Sequence, residues 1–364
     1  MKTFVLFTHT RWDEAPRIRH QIARLIAGAG HRVVFVERAS GPFEGGGVTV
    51  REAGPSVTVV RGRRLMHHQL RVLTPLDWMN SWLVRRDLRA GLARAGVEGD
   101  FEIINFAHDA AWLRPAFPGH RITTVIHDDF EAQTRLPWFG HVTRNLRATC
   151  EASDRVLAVS TPLANRLAAW CRPELLLPWS SHPYAAPHSD IRRRDTLLFW
   201  GYIDIGLDTA RIRGIAQYVG ARHPGLRLVF IGPTQVATRR AATVSRFEGF
   251  PNVEVHDAMR LEELPVDRVL AALIPYRRKG DVDATELPNK ALPLLSRGLP
   301  IMKCGLPNMI RAPFILSVDD DDSLEFAIGE CRRNFLEWQP LIKHFLSEHD
   351  PATRMRILGI APAQ

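Results

Sequence analysis

Two groups of residues in this sequence have the types and spacing to do chemistry. The first is the basic loop Tyr276-Arg277-Arg278-Lys279, with Lys290 a short way on at the head of a helical stretch. Charged donors of this kind suit a diphosphate. A helix N-terminus beside them would add partial positive charge and free N–H groups. The second group is His108-Asp109 and His127-Asp128-Asp129, two His–Asp runs that each close an apolar stretch.

The elements that must position them read as an α/β chain. Around the basic loop, Leu273 and Ile274 end an apolar strand, Pro275 breaks it, and the loop continues to Asp283. A helix with Pro288 near its first position is expected next, because a missing N–H costs little there. Ala291, Leu292, Leu294 and Leu295 give it an apolar face, and Gly298 and Pro300 stop it before Ile301 and Met302. The unit is βαβ, and its loop lies at the carboxyl end of a strand, where open α/β sheets bind ligands. The His–Asp runs follow the buried-strand patterns Phe101–Phe106 and Ile122–Ile126. After successive parallel strands they fall on one edge of one sheet.

The chain opens with a strand pattern at Lys2–Thr8, a polar loop from His9 to Pro16, a helix over Arg17–Ala29 and a strand at Val33–Glu37. This is Rossmann-like, without a G-x-G-x-x-G dinucleotide fingerprint. Short strands are expected at Val48–Arg51 and Val57–Val60, then at Arg155–Val159 and Leu175–Pro178. Trp179–Arg194, rich in Pro, His and Ser, reads as a linker. Strands then recur at Leu197–Trp200, Leu226–Gly232 and Ile315–Val318, and Asp319–Asp322 caps a helix beginning at Ser323. The expected divisions are residues 1–178, a linker 179–195, a second domain 196–335, and a C-terminal helical segment 336–364 that crosses back towards the first.

Composition narrows the classes. A chain of 364 residues, 45% hydrophobic and 24% charged, allows two globular domains with ample core. Cys150, Cys171, Cys304 and Cys331 show neither C-x-x-C nor metal spacing and read as reduced structural thiols of a cytoplasmic protein. Neither a signal peptide nor a membrane-spanning run is expected. The net charge of +9 invites a polyanion, but no zinc-finger spacing, RNP-type aromatic pattern or basic repeat points to nucleic acid. From Arg61 to Arg89, arginines and His67 and His68 surround Leu65, Met66, Leu70, Val72, Trp78, Met79, Trp82 and Leu83. Such a segment can lie on an anionic membrane surface, and it can equally be a core-packing helix with a solvated basic edge.

The run from Ile274-Pro275-Tyr276 through Pro288-Asn289-Lys290 to Gly298-Leu299-Pro300-Ile301 resembles the donor-binding segment of GT-B glycosyltransferases. Pro293 stands where family-4-like members usually carry the glutamate that holds the nucleotide ribose. The opening Trp12-Asp13 … Arg17-x-Arg19-His20 and the stretch Cys150–Leu167 resemble the N-terminal domain of the same enzymes. Gly201-Tyr202-Ile203-Asp204 is similar to their phosphate-approaching glycine loop. The likeness spans nearly the whole chain and is nearest to bacterial surface-polysaccharide glycosyltransferases, including the xanthan-pathway glucuronosyltransferase.

The resemblance implies a GT-B fold, two Rossmann-like domains facing each other across a cleft. It implies transfer of a sugar from a nucleoside diphosphate sugar, a UDP-sugar first, to a saccharide, lipid-linked or small-molecule acceptor hydroxyl. No cofactor beyond the donor and no metal would be required. Donor contacts would come from Gly201, Tyr202, Tyr276, Arg277, Arg278, Asp283, Glu286, Asn289 and Lys290. Acceptor contacts would come from Trp12, Asp13, Arg17, Arg19, His20 and His108. In an inverting enzyme Asp128 or Asp129 would be the general base, with His127 as rival. In a retaining one Glu286 or Asp283 would hold sugar hydroxyls. A non-hydrolytic epimerase, or a catalytically silent sugar-nucleotide binder of the same fold, are the alternatives. A lipid-linked acceptor would bring the chain to the inner membrane surface as a peripheral protein.

Overall fold

The computed structural model describes the chain except residues 15–16, 42–43, 45, 66–73, 135–136, 138–139, 188–189, 204–205, 234–241, 279–281 and 364. Asp204, Lys279, Met66, His67, His68, Leu70, Arg71 and Val72, all singled out above, lie outside the described residues. The chain forms two compact units, Met1–Leu177 with Pro351–Gln364, and Pro178–Asp350.

The first unit is built on β1 (Thr3–Phe7), α1 (Ile18–Gly28), β2 (Arg32–Val36), β3 (Thr49–Gly54), β4 (Val57–Arg61), α2 (Thr74–Arg94) and β5 (Glu102–Asn105). It continues with α3 (Leu113–Ala116), β6 (Ile122–Ile126), α4 (Phe130–Gln133), α5 (His141–Glu151), β7 (Arg155–Ala158), α6 (Thr161–Leu167) and β8 (Glu174–Leu175). The eight strands are ordered β3-β4-β2-β1-β5-β6-β7-β8. All pairs are parallel except β3 with β4, joined by a tight antiparallel turn. Strands such as Val33–Val36 and Ile122–Ile126 are buried on both faces because helices cover both sides of a parallel sheet. The order reverses at β1, whose neighbours are β2 and β5. The carboxyl ends of β1, β5 and β6 therefore flank the topological switch point.

The second unit contains β9 (Thr196–Trp200), α7 (Thr209–Arg222), β10 (Arg227–Ile231), β11 (Val253–His256), β12 (Val269–Pro275), α8 (Ala291–Ser296), β13 (Ile301–Cys304) and β14 (Ile315–Ser317). Helices α9 (Asp321–Asn334) and α10 (Trp338–Glu348) complete it, and α11 (Pro351–Leu358) belongs to the first unit. The sheet order is β11-β10-β9-β12-β13-β14, all parallel, with the switch between β9 and β12. The acidic turn does cap α9: the Asp320 side chain accepts from Ser323 N at 2.7 Å.

One local expectation is corrected. The helix expected from Pro288 begins at Ala291, with Lys290 as its N-cap, and is only six residues long. Proline has no N–H to donate, so Pro293 is tolerated only within the first turn, where the N–H groups are unpaired anyway. A helix starting at Pro288 would have placed Pro293 past that turn. Among the described residues no helix is long and apolar enough to cross a membrane.

Candidate functional site

On the first unit, the loops after β1, β5 and β6 carry most of the expected residues. His9 Nε2 lies 2.9 Å from Asp109 Oδ1, tying the loop after β1 to the loop after β5 across the switch point. After β6, His127 Nε2 is 2.9 Å from Arg19 Nη1 and 3.2 Å from Asp128 Oδ2. A guanidinium only donates and a carboxylate only accepts. That nitrogen therefore accepts from Arg19 when bare and donates to Asp128 when protonated, a proton position with a neighbour for either state.

Burial and charge tune this trio. Arg19 is 5% exposed. Desolvation brings its pKa down to about 10, against the pull of Asp128. Burial, then the Arg19 charge, holds the His127 imidazole below its ordinary value, so it is neutral at pH 7. Burial pushes the Asp128 carboxyl up, but His127, Arg19 and Arg17 outweigh it and hold the carboxyl below its ordinary range. The Asp128 side chain is 43% exposed and that of His127 only 6%. A solvent-borne hydroxyl can thus meet Asp128, with His127 behind it.

The other first-unit candidates are held differently. Asp129 is buried, caps α4 by accepting from Ala132 N at 3.1 Å and takes Arg166 Nη2 at 2.6 Å. His20 is buried and stacks on Phe35, with centroids 5.3 Å apart. Its Nδ1 accepts from Arg17 N and its Nε2 faces Arg11 O, both at 3.1 Å, which fixes the Nε2–H tautomer. The Trp12 ring packs edge-on against Phe35 and its backbone N–H donates to Glu37 Oε2 at 2.9 Å. Asp13 pairs with Arg51 at 2.7 Å, and Arg17 lies 3.7 Å from Glu14. His108 is buried beside the Phe130 ring at 4.6 Å. The structure brings Arg19, His127 and Asp128 together. His20 and Asp129 it commits to holding the loops.

On the second unit, the carboxyl ends of β9 and β12 converge on Lys290. Its ammonium lies 4.3 Å from the Phe199 ring centroid and 4.7 Å from that of Tyr276. Two quadrupole faces thus hold one cation. Among the described residues it has neither a hydrogen-bond nor an ion-pair partner. Gly201, with φ of +144°, passes beside it, and a Cβ there would sit 2.8 Å from Lys290 Nζ. Only glycine keeps both that conformation and that approach. Gly232 is tighter still, since a Cβ would lie 1.8 Å from the Gly201 carbonyl oxygen.

Tyr276 N and Arg277 N donate to Cys304 O and Gly206 O, which pins the loop backbone and leaves both arginine side chains outward. Arg278 lies 3.9 Å from Asp283 Oδ1 and is largely exposed. Asp283 O accepts from Asn308 Nδ2 and Glu286 O from Ile310 N, so both backbones are anchored. Tyr202 is half-buried and Asn289 exposed. Phe199, Gly232, Glu37 and Arg166 were not anticipated. Phe199 alone left a signal, as the bulky aromatic two residues before the glycine loop. Among the described residues no group of three or more His, Cys, Asp or Glu side chains could hold a metal ion.

Comparison with known proteins fits this arrangement. Residues 16–175 match the model of the family described as Glycosyltransferase Family 4. No curated protein sequence matches the chain. Solved structures do. The α,α-trehalose-phosphate synthase (UDP-forming) of Burkholderia xenovorans superposes with a TM-score of 0.70 at 13% identity, covering 99% of each chain. Anabaena Alr3699/HepE, solved with UDP and glucose, gives 0.62 at 9% identity over 99% of this chain and 98% of that one. WaaG, a glycosyltransferase involved in lipopolysaccharide biosynthesis, gives 0.60 at 13% identity over 99% and 100%. The chain has the GT-B fold, the two-unit Rossmann-like architecture that these glycosyltransferases share. The segment that matches the Glycosyltransferase Family 4 model lies within the first unit.

Proposed function

We propose that the second unit binds a nucleoside diphosphate sugar, with UDP as the nucleotide. The sugar passes to a hydroxyl of a saccharide, lipid-linked or small-molecule acceptor presented at the first unit. The observation that carries this reading is the Lys290 ammonium, clamped by Phe199 and Tyr276 beside the Gly201 backbone and lacking an anionic partner among the described residues. A preorganised cation of this kind stabilises a leaving diphosphate. Arg277 and Arg278 stand on the same loop. The six-residue helix behind Lys290 is too short to supply much field, so the side-chain charge carries the site. The UDP-linked relatives support the choice of nucleotide. On the first unit, Asp128 accepts the acceptor proton, and Arg19 and His127 position and tune it.

Calorimetry of UDP against the wild type and Lys290→Ala tests the donor site. A charge-assisted phosphate contact is worth about 1.5–3 kcal/mol, so affinity should fall roughly 10–150-fold. Equal affinity in the two proteins removes Lys290 from the site. A panel of UDP-, GDP- and dTDP-sugars, read by nucleoside diphosphate release with and without acceptor, then identifies the donor.

A cytoplasmic location at the inner membrane surface completes the reading. Trp78, Met79 and Trp82 are 68%, 47% and 50% exposed on one side of α2, and Arg86 lies 5.0 Å over the Trp82 ring. Aromatic rings flanked by Arg85, Arg86 and Arg89 suit an anionic interface. Sedimentation with anionic vesicles should weaken as salt rises and again in Trp78→Ser/Trp82→Ser. No vesicle binding at low salt would leave α2 a solvent-facing helix.

A further inference from the structure

A basic cluster on the first unit has no role in the reading above. Arg11 follows β1, Arg38 follows β2 and Arg64 follows β4, so neighbouring parallel strands deliver all three to the carboxyl edge of the sheet. Arg11 and Arg38 meet at one carboxylate. Glu44 Oε2 takes Arg11 Nη2 at 3.1 Å, and Oε1 takes Arg38 Nη2 at 3.4 Å. Slight desolvation pushes the Glu44 carboxyl up, but the Gly41 backbone, Arg38, Arg11 and Arg64 together hold it below its ordinary value.

The surrounding acids are already engaged. Glu37 takes Arg61 at 2.5 Å, and Asp87 takes Arg63 through both oxygens at 2.8 and 3.0 Å. Glu44 is the carboxylate that Arg11 and Arg38 share, and two guanidiniums exceed its single charge. The Nε atoms of Arg11 and Arg38 are buried with no hydrogen-bond partner among the described residues. Buried donors are normally satisfied, so an unfilled fork needs a reason. Beside the cluster is a recess walled by β1, β2, β4 and α2, with Thr8, His9, Glu37, Arg63, Arg64 and Asn80 as its polar lining.

We infer that Arg11, Arg38 and Arg64 form an anion subsite for a phosphate or carboxylate carried by the acceptor, with Glu44 holding the anion's place in the free protein. The inference rests on the glycosyl transfer proposed above and narrows its acceptor to an anionic saccharide, soluble or lipid-linked. Guanidinium forks suit phosphate and carboxylate geometry better than a neutral hydroxyl. Arriving ligand exchanges one anion for another, so the cluster is never left bare.

The test titrates inorganic phosphate by calorimetry into the full chain carrying Lys290→Ala, so that binding is not credited to the donor site. Glu44→Gln should tighten phosphate binding by about tenfold, and Arg38→Gln with Arg64→Gln should weaken it by about tenfold or more. Glu44→Gln predicts a gain, which a folding defect cannot imitate. Phosphatidic acid vesicles run alongside separate a lipid-borne anion from a soluble one. The subsite stands if either probe responds to Glu44→Gln and falls if neither does. UDP binding to the wild type and to Lys290→Ala, measured in parallel, reports on the donor reading separately. UDP affinity that ignores Lys290→Ala sinks that reading, while a phosphate response that persists keeps the subsite.

Discussion

Arg19, His127 and Asp128 on the first unit are one another's partners, whereas Lys290 on the second meets only the faces of two aromatic rings. In the trio, each charge shifts the ionisation of the next, and the ring nitrogen between donor and acceptor can change its proton. At Lys290 the charge is fixed in place by ring faces and glycine backbone, and its counter-ion must come from outside the described chain. The first arrangement is suited to moving a proton. The second is suited to waiting for an anion. Changes in the first should alter rate and pH dependence, and changes in the second should alter affinity.

The largest separation is expected from Asp128→Asn. Loss of a positioned general base costs about 10²–10⁴-fold in turnover, while UDP affinity measured by calorimetry should stay at the wild-type value. A loss of UDP binding instead would dissolve the division between the two sites. The pH profile sharpens the same point. Both groups have folded values below their ordinary ones, so the unfolded chain binds the extra proton first and stability falls with pH in each window. For His127 the fall begins below 6.5, and for Asp128 it begins below 3.8, each ending at the folded value. An acid limb of kcat between those two ordinary values that disappears in His127→Gln would make the imidazole the proton acceptor. A limb that lies below 3.8 and survives the substitution leaves the role with Asp128.

A smaller effect is expected at the glycine that shapes the donor loop. Gly232→Ala forces a Cβ to 1.8 Å from the Gly201 oxygen. Overpacking of this kind costs about 1–3 kcal/mol. Thermal unfolding should show the loss, and UDP binding should weaken with it. Gly28→Ala, where an added Cβ meets nothing within 4 Å and alanine suits the helix, is the control that should leave UDP binding unchanged and not lower thermal stability. An equal response of the two variants would show that the close approach of Gly232 to Gly201 is unimportant.

Smallest is the contribution of the aromatic clamp. Phe199→Leu keeps an apolar side chain but removes one quadrupole face, worth about 0.5–1 kcal/mol at a partly exposed site, or roughly 2–5-fold in UDP affinity. Asp128→Asn and Phe199→Leu should combine without coupling if the sites act separately. A double-variant cycle on kcat and on UDP affinity measures this.

Much of the scaffold was legible because its signals are local. Parallel strands buried on both faces read as apolar runs, and Val33–Val36, Ile122–Ile126 and Leu197–Phe199 lie where those runs predict. The His–Asp runs could be assigned to one sheet edge from their positions after strands alone. The start of α8 was misjudged by a turn because Pro288 and Pro293 both satisfy a helix-start rule, and only the bonding of the folded turn chooses between them. The basic stretch before α2 stayed two-valued until exposure was known, since periodicity does not say which face meets solvent.

The sequence by itself determined the strand–helix alternation, the loops at the carboxyl ends and the residue types that fill them. Those follow from hydrophobic period, proline and glycine, which act over a few residues. Tertiary structure decided which charges meet. Arg19 reaches His127 across 108 residues, Asp109 reaches His9 across 100, and Asp129 turns from His127 towards Arg166. Each pairing depends on strand order in a folded sheet and on the freeing of charged groups from water, and neither is written in the local spacing of the chain.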